Sequence, residues 1–159
     1  MKMTESERER YMLHSMLPAF KRKIDKSLSI IREAFQIDGV KWIASISFGK
    51  DSLVLLDLLY QVTDKIPVYY IDSPYKLPDI HETIELTQQK YKFDIYRTPF
   101  ADGRPIQEVW EKLGIPGINR TVAMQNKAVK VLKKDPSDKW AKEKGYNGIF
   151  WGIRKEESR

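Results

Sequence analysis

Near the N-terminus, apolar residues recur every three or four positions: Leu13, Leu17, Phe20, Ile24, Leu28, Ile31 and Phe35. That spacing puts them on one face of a helix, so residues 4–36 are expected to be helical. Pro18 removes an amide hydrogen and crowds the preceding turn, which predicts a short helix followed by a longer one, with Gly39 as the stop signal. The period then changes. Residues 41–47 read as a continuous apolar strand, and 51–62 as a helix with Leu53, Leu56 and Leu59 on one face. Residues 66–73 form a second apolar strand, followed by a helix over 78–91 with Ile80, Ile84 and Tyr91 inward. "KFDIYRTPF" holds a third strand. A short helix opened by Pro105 and closed by Gly114 follows. Residues 120–133 read as a helix with Val122, Val129 and Leu132 as its apolar members. "KKDPSDK" is a loop signal, Pro136 starts another short helix that runs to Gly145, and "NGIFWGIR" is the fourth strand.

Strands that alternate with helices, and that are apolar throughout rather than at every second position, predict an α/β fold. Its parallel sheet is covered by helices on both faces and preceded by N-terminal helices. The expected division is an N-terminal helical segment, 1–38, and a ligand-binding domain, 39–159.

Composition narrows the chemistry. The 159 residues include no cysteine, which rules out disulfides, Cys-bound zinc, iron–sulfur clusters and thiol catalysis by these residues. No apolar stretch approaches the ~18 residues of a membrane span, and the charged N-terminus lacks the apolar core of a signal peptide. A cytoplasmic protein is the expectation. The net charge of +6 is unevenly placed: residues 1–118 carry 17 Lys/Arg against 17 Asp/Glu, and 119–159 carry 11 against 5. A basic C-terminal quarter suits an anionic partner, such as a nucleotide or a nucleic-acid backbone; the alternative is a solvated lysine-rich face. Lys130, Lys133 and Lys134 are assigned to that solvated face.

The segment Ser47-Phe48-Gly49-Lys50-Asp51-Ser52 lies between the first strand and its helix. Ligands of such sheets bind at the carboxyl ends of the strands. Gly49 permits an unusual conformation or a close approach, the free N–H groups of the helix start favour an anion, Ser47 and Ser52 add hydroxyls, and Lys50 adds a point charge. Together these make a phosphate cradle. Neither GxxxxGK[ST] nor GxGxxG is present. The competing reading is a simple helix cap formed by Asp51 or Ser52.

This segment resembles the pyrophosphate loop, S-G-G-x-D-S, of the adenine nucleotide alpha-hydrolase superfamily. Phe48 stands where that pattern usually has its first glycine, as in some members of the phosphoadenosine phosphosulfate (PAPS) reductase-like branch. Two further stretches carry the resemblance. Asp72-Ser73 ends the second strand, where that branch has Asp-Thr or a close variant near the nucleotide; a plain turn before Pro74 would also use these residues. Gly152, Arg154, Glu157 and Ser158 match a G-x-R-x-x-E-S element after the last strand, where a charged terminal tail is the alternative.

The resemblance covers roughly 40–159 and implies a Rossmann-like fold that binds ATP, adenosine phosphosulfate (APS) or PAPS. On it, Ser47, Phe48, Gly49, Lys50, Asp51 and Ser52 hold the phosphate or sulfate end. Asp72 and Ser73 lie on the nucleoside side. Arg154 and Ser158 close over the anion, with Glu157 holding Arg154. Arg120 and Lys127, seven apart on one helix, are further phosphate contacts. Lys50, Asp51 and Arg154 are the expected catalytic residues, and Asp51 is a candidate ligand for magnesium carried by ATP.

The chain departs from the family at one point that matters. A reductase of this branch uses a C-terminal cysteine as its nucleophile, and neither that cysteine nor the family's C-terminal segment lies within these 159 residues, so 39–159 is expected to be either a naturally shortened version of the domain or a domain cut at its C-terminal side. An enzyme acting at the phosphate or sulfate end of the nucleotide is therefore set against a non-catalytic nucleotide-sensing or partner-binding module, with residues 119–159 as a nucleic-acid surface. The N-terminal helices would pack on the sheet or join two copies into a homo-oligomer.

Overall fold

The computed structural model describes residues 3–73, 79–114 and 121–153. Two helices come first. α1 (Glu5–Ser15) opens with a capping box, in which the Thr4 hydroxyl accepts from the Glu7 amide while the Glu7 carboxylate accepts from the Thr4 amide at 2.8 Å. α2 (Pro18–Phe35) carries its proline in the first turn, where a missing N–H has no helical partner to lose. The break falls where Pro18 predicts it. Leu13 and Leu17, however, are exposed and do not pack on the sheet. The reason is the break itself: α1 ends at Ser15 and Leu17 becomes the N-cap of α2, so the buried stripe belongs to α2 alone, through Leu28 and Ile31.

The remaining elements alternate as expected. β1 (Trp42–Ser45) leads to α3 (Lys50–Tyr60), β2 (Val68–Asp72) to α4 (Ile80–Tyr91), and β3 (Ile95–Pro99) to a 3₁₀ turn at Phe100–Gly103 and α5 (Ile106–Leu113). α6 (Val122–Val129), a π turn (Lys130–Lys134) and α7 (Asp135–Glu143) follow, and β4 (Gly148–Trp151) closes the sheet. The four strands are parallel in the order β3-β2-β1-β4, with Ala44 level with Val68 on one side and with Phe150 on the other. The chain builds outward from β1 to β3 and then returns to pair β4 with β1. The carboxyl end of β1 is therefore the place where the strand order reverses, which is where sheets of this kind form a crevice.

Both faces are covered. On one, Ala44, Ile46, Val68 and Tyr70 pack with Ile31 of α2, Leu56 and Leu59 of α3, Ile84 of α4, and Phe93. On the other, Tyr69 meets Trp140 of α7, with ring centroids 4.8 Å apart. A smaller cluster there joins Ala101, Val109, Ala128 and Leu132. Residues 122–143 differ from the expected helix–loop–helix: α6, the π turn and α7 follow one another without a break. Ala128 and Leu132, four residues apart on one face, point inward, while Val129 is exposed rather than one of the inward apolar members.

Candidate functional site at the carboxyl edge of the sheet

The loop after β1 is built around Phe48. Its φ is +58°, in the left-handed region, and its side chain is 4% exposed. The ring packs edge-on against Tyr70 at 5.4 Å and against Phe93 at 6.3 Å. A bulky residue held at positive φ is uncommon and strained; here the burial of the ring offsets that strain. Phe48 thus turns the backbone sharply out of β1 and anchors the turn in the core.

The next residue, Gly49, is the N-cap of α3, with φ −78° and ψ 165° and no side-chain cap hydrogen bond. Asp51 and Ser52 lie inside the first turn, so the reading of either as the N-cap does not hold. The Ser52 hydroxyl instead donates to the Gly49 carbonyl at 2.9 Å and lies 3.2 Å from the Ser47 hydroxyl. Gly49 thus offers no side-chain cap to the first N–H groups of α3, which have no partner within the helix, and Lys50 opens the helix from an exposed position.

Gly49 does not need to be glycine for its own conformation. A Cβ there would meet only the Ser47 hydroxyl, at an ordinary 3.5 Å. The positive φ expected of this loop belongs to Phe48. Gly152, after β4, is the constrained glycine: a Cβ would come within 3.1 Å of the Asp51 carbonyl oxygen and of Ser52 Cα. The end of β4 therefore meets the first turn of α3 backbone to backbone at the reversal point.

A cleft of about 380 Å³ opens beside this loop, lined by Ser45, Ser47, Phe48, Gly49, Tyr70, Ser73 and Lys133 among others. A second recess of about 360 Å³ shares Ser73 and is lined by Asp72, Phe100, Gly103 and Arg104. Between Phe100 and Gly103 the chain makes a left-handed turn, Ala101 and Asp102 at φ +53° and +58°, and the Ala101 carbonyl accepts from the Arg104 Nε at 3.1 Å. The structure thus brings Ser47, Phe48, Gly49, Lys50, Asp51, Ser52, Asp72, Ser73 and Gly152 to one edge of the sheet. Lys127 is exposed on α6 and is not among the residues lining the cleft. Arg120, Arg154, Glu157 and Ser158 lie outside the described residues.

Two cationic side chains at this edge were not singled out by sequence reasoning. Lys133, assigned from sequence to a solvated face, lines the cleft, and Arg104 lines the second recess. The available signal for Lys133 was Pro136, three residues on, within a helical pattern. A proline there forces the helix to widen or bend, which changes the face a nearby residue presents.

No group of three or more His, Asp or Glu side chains capable of holding a metal occurs among the described residues. Asp51 alone would be the protein's contribution at α3, which fits magnesium arriving on nucleotide phosphates, since that ion commonly takes one or two carboxylates and keeps the rest of its shell on phosphate and water. Among the described residues, no helix is long and apolar enough to cross a membrane.

The family model described as the phosphoadenosine phosphosulfate reductase domain matches residues 41–159. The chain belongs to that family. An adenosine 5′-phosphosulfate reductase of Shouchella clausii is 23% identical over 141 residues, covering 87% of this chain and 55% of that protein. A phosphoadenosine 5′-phosphosulfate reductase of Klebsiella pneumoniae is 29% identical over 122 residues, covering 74% of this chain and 47% of that protein. The chain spans about half the length of these curated relatives. Among solved structures, a phosphoadenylyl-sulfate reductase from Candida auris, in a phosphate complex, superposes with a TM-score of 0.58 at 18% identity, over 98% of this chain and 70% of that one. That likeness shows the PAPS reductase fold.

Proposed function

We propose that this chain binds an adenine nucleotide (APS, PAPS or ATP) with its phosphate or sulfate end against the start of α3, and acts on that end. The observation that carries the reading is the start of α3, which has no side-chain cap and sits at the strand-order reversal beside a cleft floored by Ser47, Gly49 and Ser73. An exposed lysine at the first helical position and a row of backbone donors suit a group whose negative charge increases as a bond to sulfur or phosphorus breaks.

In this reading Lys50 and the amides of Gly49, Lys50 and Asp51 hold the terminal anion. Ser47 and Ser52 accept or donate around it, and Asp51 meets magnesium when the ligand is ATP. Asp72 and Ser73 face the nucleoside. Gly152 lets the last strand close against the loop, so that Arg154, Glu157 and Ser158, which follow it in sequence, complete the anion site. Arg120 and Lys127 extend the positive field. With no cysteine among the 159 residues, a thiol that reduces a bound sulfonucleotide would come from outside them, and these residues would supply binding, orientation and charge stabilisation.

A specific observation, the absent cysteine, keeps one second reading: a nucleotide-binding module without turnover, whose basic segment 119–159 contacts nucleic acid. The test is Lys50→Ala, assayed in parallel for displacement of a fluorescent adenine nucleotide and for retention of an RNA or DNA probe. Loss of nucleotide binding, with wild-type release of sulfite from APS or PAPS in the presence of added dithiol, supports the enzyme. Nucleotide binding without turnover under any of these conditions favours the module. A wild-type chain that binds no nucleotide ends both readings.

A further inference from the structure

The helical run from α6 to α7 contains a device that the proposed nucleotide site has not yet used. Pro136 has no N–H, so the regular bond to the carbonyl four residues earlier is missing, and its ring would crowd that carbonyl. The chain responds by widening: the Asp135 amide donates to the Lys130 carbonyl, five residues back, and residues Lys130–Lys134 form a π turn. Such turns often occur at functional sites, but the contacts around this one are more specific than that tendency.

A chain of buried hydroxyls ties the turn to the sheet. Thr98 of β3 donates its hydroxyl to Tyr69 of β2 at 2.7 Å. Tyr69 donates to Ser137 at 3.1 Å, and Ser137 donates to the Lys133 carbonyl at 2.7 Å. Three hydroxyl protons are spent in one direction, ending on the backbone of Lys133. Thr98, Tyr69 and Ser137 are each less than 9% exposed, and Leu132, next to Lys133, is buried in the smaller core cluster. The backbone at Lys133 is therefore fixed to β2, whose carboxyl end lines the cleft, and through Tyr69 to β3. Its side chain lies at the cleft with Ser47, Gly49 and Ser73, and it is the one charged residue among the described residues lining that space.

We propose that Lys133 is an anion-binding residue of the cleft, meeting the phosphate or sulfate group of the nucleotide from the face of the sheet opposite α3, and that the Pro136 π turn and the Thr98–Tyr69–Ser137 relay position it there. This rests on the reading of the cleft as the nucleotide site. Lys133 is a binding residue; Tyr69 and Ser137 are positioning residues, which act through it.

The test is calorimetric titration of the full chain with adenosine 3′,5′-bisphosphate and with adenosine, at two salt concentrations. A charge-assisted contact of this kind corresponds to about ten-fold or more in affinity. Lys133→Ala is expected to weaken the bisphosphate by about that factor and to reduce its salt dependence, with adenosine unaffected. Lys133→Arg should restore most of the loss, Ser137→Ala should give a smaller loss in the same direction, and Lys134→Ala should match the wild type. Because Lys133 is exposed, the thermal midpoint of Lys133→Ala should be unchanged, which separates lost contact from lost folding. If Lys50→Ala weakens the bisphosphate and Lys133→Ala does not, the role of Lys133 is overturned while the cleft reading stands. If the wild type binds neither ligand, both fall together.

Discussion

Replacing Phe48 separates two opposing terms within one residue. The side chain is 4% exposed and packs on Tyr70 and Phe93, so removing it forfeits core burial. Phe→Ala in such a place costs about 3–5 kcal/mol. The backbone contributes with the opposite sign. At φ +58° any L side chain carries a left-handed penalty of about 1–2 kcal/mol, which alanine keeps and glycine releases. Glycine also loses more entropy on folding, by about 0.4–1 kcal/mol. The net expectation is that Phe48→Gly and Phe48→Ala are both several kcal/mol less stable than the wild type, with the glycine variant ahead of the alanine variant by about 1 kcal/mol. Urea unfolding resolves this, because slopes of about 1–3 kcal/mol per molar turn that difference into a midpoint shift of a few tenths of a molar or more. The ordering reverses the one expected at an ordinary backbone position. An alanine variant equal to or more stable than the glycine variant would refute the left-handed turn, and a wild-type midpoint for either would refute the anchoring of the loop in the core.

The two glycines of the site should part company in the same assay. Gly49→Ala meets only the Ser47 hydroxyl, so its stability should stay within about 0.5 kcal/mol of wild type, while on the proposed reading nucleotide affinity falls, because Gly49 lines the cleft. Gly152→Ala presses a methyl group on the Asp51 carbonyl and Ser52 Cα, and overpacking of this kind should cost about 1–3 kcal/mol as well as affinity. Away from the site, the Asp57 carboxylate accepts from the Tyr91 hydroxyl and from Lys90 and Gln61, and the Tyr91 bond is the leading cause of its lowered pKa. A carboxyl group that ionises more readily in the folded state stabilises the fold above its unfolded pKa of about 3.9, and that stabilisation is lost as pH falls through the lower folded value. Asp57→Asn should therefore flatten the acid limb of stability against pH below about 4; an unchanged acid limb would contradict the Tyr91 contact.

The strand–loop–helix from Trp42 to Tyr60 was legible because everything that defines it is local. An apolar run, a short polar interruption and leucines at helical spacing place β1, the loop and α3 within a residue or two of their positions. The parallel sheet followed from apolar strands alternating with helices. What was not legible depended on packing between distant segments. Leu13 and Leu17 continue the spacing of α2 in sequence, but the break at Pro18 leaves them without a surface to cover. Gly49 looked like the residue that bends the loop, whereas Phe48 bends it, because Tyr70 and Phe93 offer its ring a pocket that no local pattern announces. The stretch around Pro136 reads as a loop before a new helix; the helix instead runs on through it, and Ser137 bonds to Tyr69, 68 residues away. Lys133, read from sequence as part of a solvated face, is exposed and lines the cleft.

The most direct test of the central claim is calorimetric titration of the unaltered chain with PAPS, with APS and with ATP plus magnesium. Saturable binding of at least one of them, abolished by Lys50→Ala, is the predicted result, and the preferred ligand would name the nucleotide. No heat with any of the three, from a chain that unfolds cooperatively, would contradict the account and leave a PAPS reductase fold without its nucleotide site.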